Sequence, residues 1–462
     1  MLGKLHGTVS SGVGKTMEHS GEEQDREASR TYGYTRSEYR RFRRYGWVYL
    51  VMFSLLYLCL YCCRLNLSNA SAAMIDGLGW TTSDIGILTS TLFWTYGAGQ
   101  LVNGRLSEVV GPNRLITVGA ACSVACNLLM GLQSSLVLMA VVWGLNGFFQ
   151  SMGWAPGMAG ITKWWPGGSR GFATGFAHAA SGFGQAAATL AVAAAFALAP
   201  DMGWQAAFVL PAAVPLVLLV AFRLIARPSP QDVGLREYAE EDPQLAKAEE
   251  QMRQLKESKG KLFPYKFVLK NRQFAPWMFV SFATGLARYG LITWVPLYFV
   301  QVHGVDVTAG LLQSLMLPVG MGVGTLVIPW LTDHFFTENR MSAAILASLV
   351  TTAAVAVFFL VQPVSAASLA VVEAALFVAG FGIYGINGIV WAYATDIGGR
   401  VFTGTASGLL NCAEYVGAAL QSLVYGAILT AGGWSIVFAS LAAFCLAIAA
   451  VAAACTRRTG KS

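Results

Sequence analysis

Hydrophobic residues along the chain form twelve long blocks, and short polar stretches separate most of them. An α-helix needs about 20 apolar residues to cross a bilayer, whereas the strands of a membrane barrel would alternate over about ten residues. The pattern therefore predicts an all-α membrane protein with twelve transmembrane helices. The predicted spans cover approximately residues 47–73, 85–108, 115–133, 135–162, 171–199, 204–225, 274–302, 308–332, 341–361, 367–395, 402–429 and 434–455.

The composition supports a membrane protein and excludes a soluble domain. The chain has 462 residues, of which 55% are hydrophobic and 12% are charged, where about a quarter would be charged in a soluble domain. The net charge of +7 raises the possibility of a nucleic-acid partner, but the basic residues lie almost entirely between the apolar blocks. The lipid bilayer is therefore the expected partner, and nucleic acid is not. All eight cysteines fall in or at the end of apolar blocks and are expected to be free.

The positions of lysine and arginine predict the orientation. They occur in both terminal segments and in the connections that follow even-numbered spans, whereas the opposite connections carry acidic residues and a histidine. Both termini and the central loop are therefore expected in the cytoplasm. The predicted organisation is a disordered tail (1–45), a six-helix half (46–226), a central loop (227–272), a second six-helix half (273–456) and a short tail (457–462).

The two halves of the chain resemble each other. The polar turn after the second span contains Glu108 and Arg114, and a weaker counterpart after the eighth span contains Asp333 and Arg340. Asp333 follows Glu108 by 225 residues, and two further pairs of matching segments lie 233 and 230 residues apart. This repeat predicts two pseudo-symmetric halves derived from one six-helix unit. We expect the four polar residues to take part in gating on the cytoplasmic side.

Two nucleotide-like motifs do not support a cofactor. The segment Ser11–Thr16 resembles the end of a phosphate-binding loop, but the position of the leading glycine is Val9 and no strand precedes it. The glycines of Gly380–Gly385 match a dinucleotide fingerprint inside the tenth span, where small residues allow close helix packing. The sequence also lacks metal-ligand spacing and a nucleophile with a matching base. We therefore expect neither a cofactor nor a metal ion, and no enzymatic activity.

Five ionisable residues fall inside the predicted spans. A charge at the bilayer centre costs at least about 3 kcal/mol, so such residues are candidates for function. They are Arg64 in the first span, His178 in the fifth, Arg288 in the seventh, Glu373 in the tenth and Glu414 in the eleventh. For Glu373, which lies nearer the outer end of its span, we expect a structural or rim position.

Arg64 and Arg288 lie 224 residues apart, which is close to the repeat distance. They therefore occupy equivalent places in the first helix of each half and are expected to face each other. Two guanidinium groups at one cavity repel each other unless an anion lies between them, and their planar donor groups match phosphate oxygens in bidentate pairs. The pair predicts a phosphate or phosphonate ligand. The alternative is that each arginine only pairs with Glu414 or with helix carbonyl groups.

Three further polar residues are candidates for the same cavity. His178 has a polar counterpart in the repeat, Asn411, and Glu414 follows Asn411 by three residues on nearly the same helix face. An imidazole beside two arginines is expected to be neutral in the empty site and to gain a proton as phosphate binds. A packing position is the alternative for His178. Glu414 is expected either to hold an arginine in the empty site or to select the substrate.

At these residues the sequence resembles the organophosphate:phosphate antiporter family of the major facilitator superfamily. The matching segments are Tyr61–Asn66, Asn146–Pro156, Lys163–Trp165, Arg170–Gly171, His178 and Arg288–Pro296. The resemblance implies the major facilitator fold and the exchange of glycerol 3-phosphate or hexose phosphates for inorganic phosphate. It also implies that Arg64 and Arg288 bind the phosphoryl group and that His178 assists. The sequence departs from the family pattern at Ala155, where the family has proline, and at Glu414.

The expected function is import of an organophosphate in exchange for inorganic phosphate by alternating access. Two alternatives stay open: a membrane sensor of a phosphorylated sugar, and a proton-coupled carrier of another organic anion. We expect the protein to be a monomer in a bacterial inner membrane.

Overall fold

The computed structural model describes residues 32–237, 254–255, 258–260, 263–272, 274–336 and 340–459. Every regular element within these ranges is helical. Eleven helices among the described residues are long and apolar enough to span a membrane, and the helix Thr82–Val110 lies where the second span is predicted. In chain order these twelve are α1 (Arg36–Cys63), α2 (Thr82–Val110), α3 (Pro112–Met130), α4 (Leu136–Trp164), α5 (Gly171–Leu198), α6 (Pro200–Ile225), α7 (Phe274–His303), α8 (Val307–Thr332), α9 (Arg340–Leu360), α10 (Ala366–Trp391), α11 (Thr405–Thr430) and α12 (Trp434–Thr456).

The helix α2 is outside the eleven apolar spans because many of its side chains are polar. These side chains contact protein rather than lipid: Thr89, Ser90, Gln100 and Asn103 are buried. The amide of Asn103 donates to the Ser151 hydroxyl at 2.7 Å. A helix that faces other helices on most sides needs fewer apolar residues than one that faces lipid. All twelve predicted spans are therefore long helices in the structure, and α2 differs from the others in its mixed composition.

The first helix begins earlier than the sequence predicts. Residues 1–45 were expected to be disordered, but α1 starts at Arg36, where Thr35 and Glu38 form a capping box. Phe42 is 2% exposed, and its ring centre lies 5.5 Å from that of Trp164. The N-terminal turns of α1 are therefore held by packing against the end of α4, a contact that the arginine-rich sequence does not reveal. Residues 1–31 lie outside the described residues.

The connection at Arg400 joins the tenth and eleventh predicted spans. In the structure both spans belong to one helical segment, Ala366–Thr430. Trp277 stacks on Tyr393 with ring centres 4.5 Å apart, while Ser281, one turn later in α7, donates to the Leu410 carbonyl at 2.6 Å. A straight helix would separate residues 393 and 410 by about 26 Å at a rise of about 1.5 Å per residue. The chain therefore reverses between α10 and α11, and the two spans lie side by side.

The two halves are in close contact at the end of the bundle where α2 begins and α11 ends. The Thr82 hydroxyl donates to the Gly426 carbonyl at 2.9 Å and lies 2.9 Å from the Thr430 hydroxyl. A Cβ atom on Gly86 would overlap the Ser422 carbonyl. Only glycine permits this approach, so α2 and α11 leave no open space between the two halves at this contact.

A second contact between the halves lies at the middle of α5 and α8. A Cβ atom on Gly182 would lie 2.6 Å from the Cα atom of Gly322. At the other end of the bundle, where α5 and α11 begin, the glycines Gly171, Gly175 and Gly408 have no other described heavy atom within 4 Å of such a Cβ atom. The halves are therefore packed together where α2 begins and at the middle of α5 and α8, while these three glycines at the end that carries both chain termini make no such close contact.

Candidate substrate site

A cavity lies between the two halves. Both halves contribute to its wall, and most lining side chains are aromatic, polar or charged. They are Tyr57, Tyr61, Tyr96, Trp154, His178, Ser181, Arg288, Tyr384, Asn387, Trp391, Asn411, Glu414 and Tyr415. A pocket with aromatic walls and a few convergent polar groups is typical of a small-molecule site.

The helix α1 is interrupted beside this cavity. It ends in a 3-10 turn at Cys63, and Arg64 has φ −121° and ψ −47°, outside helical geometry. The Cys63 carbonyl accepts hydrogen bonds from the side-chain amides of Asn127, at 3.0 Å, and Asn146, at 2.8 Å. A buried carbonyl that lost its helical partner would be costly without such donors. The two amides therefore stabilise the break that positions Arg64.

Gln150 connects this break to the guanidinium of Arg64. Its side-chain carbonyl accepts from Arg64 Nη2 at 2.9 Å and from Nε at 3.3 Å. Its side-chain amide donates to the Leu60 carbonyl at 3.1 Å and to the Ser123 hydroxyl at 2.7 Å. All these groups are buried, so Gln150 holds the orientation of Arg64 within a network of satisfied hydrogen bonds.

Arg64 is buried and has no carboxylate partner among the described residues. Its Cζ atom lies 4.6 Å from the ring centre of Tyr61 and 4.7 Å from that of Tyr96, which is the range of cation–π attraction. Its Nη1 atom has no hydrogen-bond partner in the described part of the chain. The two tyrosines line the cavity and Arg64 does not, so Arg64 lies directly behind them.

Arg288 lies in α7 on the opposite half and lines the cavity. Its Nη1 atom donates to Glu414 Oε1 at 2.6 Å in a buried ion pair. Its Nε and Nη2 atoms have no partner among the residues that the structure describes. The Cζ atom lies 4.2 Å from the ring centre of Tyr384 and 4.4 Å from that of Tyr289. One edge of the guanidinium is therefore free for a bidentate contact.

His178 lies in the wall between the two halves. Its ring centre is 5.5 Å from that of Trp154, 5.3 Å from that of Tyr384 and 6.2 Å from that of Trp391. Its Nε2 atom is buried without a partner in the described ranges. A ligand in this cavity with aromatic walls could therefore form a hydrogen bond with His178 Nε2.

The structure brings four of the five predicted site residues to one cavity: His178, Arg288, Asn411 and Glu414. The fifth, Arg64, is one tyrosine ring behind the wall. Arg288 and Glu414 form the ion pair that the sequence analysis left as an alternative. Both arginines keep unpartnered donors, so pairing with protein groups does not account for either guanidinium completely.

The predicted gating residues are described only in part. The side chains of Glu108 and Asp333 lie outside the described ones. Arg114 is exposed and Arg340 is half-buried. Their participation in gating stays a prediction.

The sequence analysis did not identify the tyrosines and Gln150 as parts of the site. Tyr57 and Tyr61 precede Arg64 by about two helical turns and one helical turn, respectively, and this spacing was the available signal. Gln150 lies in one of the segments that carry the family resemblance, but its contact with Arg64 joins residues 86 positions apart. Sequence spacing alone does not reveal such a contact.

Comparisons with known proteins agree with this geometry. The profile of the Major Facilitator Superfamily matches residues 53–422. The chain belongs to this superfamily. A solved structure of a bacterial homologue of the human lysosomal transporter Spinster, in an inward-facing and unoccupied conformation, has a TM-score of 0.71 at 16% identity and covers 88% of this chain and 96% of that one. The all-α membrane fold is therefore confirmed as the major facilitator fold.

Two curated relatives confirm the resemblance to the organophosphate:phosphate antiporter family. The probable hexose phosphate transport protein of Chlamydia pneumoniae is 29% identical over 408 residues, which cover 85% of this chain and 87% of the relative. The glycerol-3-phosphate transporter of Bacillus subtilis is 26% identical over 391 residues, with 83% and 86% coverage. Both relatives are transporters and not enzymes.

Replacement of Gln150 tests the network around Arg64. We expect Gln150→Leu to lower organophosphate transport at least about tenfold, because Arg64 loses its side-chain acceptor and hydrogen bonds to charged groups contribute about 1.5–3 kcal/mol. The measurement is the initial uptake rate in liposomes over a range of glycerol 3-phosphate or glucose 6-phosphate concentrations. Gln133→Leu, in the connection between α3 and α4, is the matched control. An unchanged KM for the transported ester in Gln150→Leu would contradict the positioning of Arg64 by Gln150.

Proposed function

We propose that the protein imports a phosphorylated organic solute in exchange for inorganic phosphate. The observation that carries this proposal is the set of unpartnered guanidinium donors on two buried arginines, Arg64 and Arg288. They come from the first helix of each half and belong to the wall and the immediate surroundings of one cavity. A phosphoryl group would satisfy donors from both halves at once.

The two arginines offer different contacts to such a ligand. Arg288 presents Nε and Nη2, which together form the bidentate edge of the guanidinium, whereas Gln150 occupies the same edge of Arg64 and leaves Nη1. Phosphate would therefore bind Arg288 through two hydrogen bonds and Arg64 through one, once the rings of Tyr61 and Tyr96 move aside. His178 Nε2 and Asn411 would contact the remaining oxygens or the organic part.

The transport cycle is proposed from the contact between α2 and α11. With both termini in the cytoplasm of a bacterial cell, this contact would close the outer end of the bundle, and substrate would reach the cavity from the inner side. A phosphate bound between Arg64 and Arg288 draws the halves together, so the carrier reorients when it is loaded and slowly when it is empty. The turns with Glu108, Arg114, Asp333 and Arg340 would latch the inner end in the opposite state. We propose that a monomer in the inner membrane suffices.

Phosphate exchange in liposomes tests this function. Purified protein is reconstituted with internal phosphate, and uptake of radiolabelled phosphate is measured with glucose 6-phosphate or glycerol 3-phosphate outside. We expect rapid uptake that requires internal phosphate and is inhibited by one of these esters. Arg64→Ala should lower uptake at least about tenfold, the effect of one lost charge-assisted hydrogen bond. Arg223→Ala, an exposed arginine near the end of α6, is the matched control.

The same assay distinguishes the alternatives. Binding of an ester by a folded protein without any flux would contradict the transporter and support a sensor. Uptake that follows a proton gradient and ignores internal phosphate would contradict exchange and support a proton-coupled carrier.

A further inference from the structure

The guanidinium of Arg288 contacts Glu414 through one nitrogen, and its two other nitrogens form a separate edge. The carboxylate occupies Nη1, while Nε and Nη2 on the adjacent edge are without a partner among the described residues. An anion can therefore bind Arg288 without displacing Glu414. The phosphoryl group and the carboxylate would then be neighbours in one cavity, separated by the width of a single guanidinium group.

The charges at this site do not balance for a simple phosphate ester. Arg64 and Arg288 contribute two positive charges and Glu414 one negative charge, and all three side chains are at most 3% exposed. While His178 is neutral, a dianionic ester would leave one excess negative charge in a buried site, where uncompensated charge is costly. A proton taken up by His178 or by the phosphoryl group would remove this excess. A substrate that carries one positive charge besides its phosphoryl group would balance the site.

Glu414 can receive that positive charge. It lines the cavity, and Arg288 is bonded to Oε1 alone in the hydrogen bonds that the structure shows. A carboxylate offers about four lone pairs on its two oxygens, so it can accept from Arg288 and from a second donor together. Asn411, three residues earlier in α11 and also in the wall, adds a side-chain carbonyl on nearly the same helix face.

The walls of the cavity favour a small cationic group as well. Tyr57, Trp154 and Trp391 line it, and aromatic faces attract ammonium groups. Aromatic walls alone would also accept a neutral sugar, so the carboxylate is the feature that distinguishes the two substrate classes.

We infer that the organic part of the substrate carries an ammonium group, which binds Glu414 while the phosphoryl group binds the free edge of Arg288. This inference rests on the proposed function and adds the substrate class, an amine-bearing phosphate ester. Glu414 is the residue that determines this specificity.

Competition between matched ligands tests the inference. Ethyl phosphate and phosphoethanolamine differ by one ammonium group, and glucose 6-phosphate and glucosamine 6-phosphate differ by an ammonium in place of a hydroxyl. We expect the amine-bearing member of a pair to inhibit labelled phosphate uptake at a concentration at least about tenfold lower, the effect of one charge-assisted hydrogen bond. Glu414→Gln should reduce this ratio to about one, and Glu414→Asp should retain most of it.

Glu373→Gln is the matched control, because Glu373 is an acid in α10 that does not line the cavity. It should keep the wild-type ratio. Ligand-induced thermal stabilisation of the detergent-solubilised wild-type protein measures the same preference without transport, so a failure of exchange and a failure of this inference are distinguishable. Equal potency of the two members of each pair in the wild-type protein would overturn the inference, as would an unchanged ratio in Glu414→Gln.

Discussion

Arg288→Ala is expected to lower phosphate exchange by at least about 10²-fold, because the ligand loses two charge-assisted hydrogen bonds of about 1.5–3 kcal/mol each. The variant is also expected to be less stable. The loss of Arg288 leaves the carboxylate of Glu414 buried without its cationic partner. Removal of one member of a buried ion pair lowers the free energy of unfolding by about 3–5 kcal/mol. The measurements are the uptake rate in liposomes and the melting temperature in detergent.

The double variant Arg288→Ala with Glu414→Gln separates these two effects. Removal of the unpaired charge should restore most of the melting temperature. Exchange should stay absent, because the arginine that binds phosphate is still missing. Recovery of exchange in the double variant would contradict phosphate binding by Arg288. It would mean that the arginine serves only to neutralise Glu414.

A disulfide between α2 and α11 is expected to stop transport completely. The hydroxyl oxygens of Thr82 and Thr430 lie 2.9 Å apart, so the Sγ atoms of cysteines at these positions would come close to the bonding distance of a disulfide, about 2.0 Å. Alternating access needs this end of the bundle to open, and a covalent link prevents it. We expect an oxidant to abolish exchange in Thr82→Cys with Thr430→Cys and a reductant to restore it.

The single variants Thr82→Cys and Thr430→Cys provide the control for the eight native cysteines, which are buried or half-buried and form no disulfide in the part of the chain that the structure describes. Both should keep exchange under oxidant. Full transport by the oxidised double variant, with the cross-link verified by mass spectrometry, would rule out opening at this end of the bundle.

The positions of the helices could be predicted because lipid imposes a strong constraint. A span must satisfy its backbone internally and present apolar side chains, so eleven spans are visible in composition alone. The same constraint draws attention to Arg64, Arg288 and Glu414, because a charged side chain within a span is costly and therefore rare unless it has a function. The prediction was least accurate in the first turns of α1, where contact with protein replaces contact with lipid and Phe42 packs on Trp164.

The site was predictable in its charged residues but not in their partners. The repeat distance places Arg64 and Arg288 in equivalent helices, yet it does not show that one pairs with Gln150 and the other with Glu414. Those contacts join residues 86 and 126 positions apart. Helix packing decides them, and a single sequence carries no signal for such distances.

By itself, the sequence determined the membrane fold with its two related halves, and it singled out the two arginines and the histidine as candidates for the site. These features follow from local composition and from a repeat, which need no knowledge of contacts. Only the tertiary structure decided that α1 breaks at Arg64, that Gln150 and Glu414 occupy different edges of the two guanidinium groups, and that the bundle is closed where Thr82 meets Thr430. The reason is physical: hydrogen bonds and ion pairs depend on distances of a few ångströms between helices, and the packing of the whole bundle sets these distances.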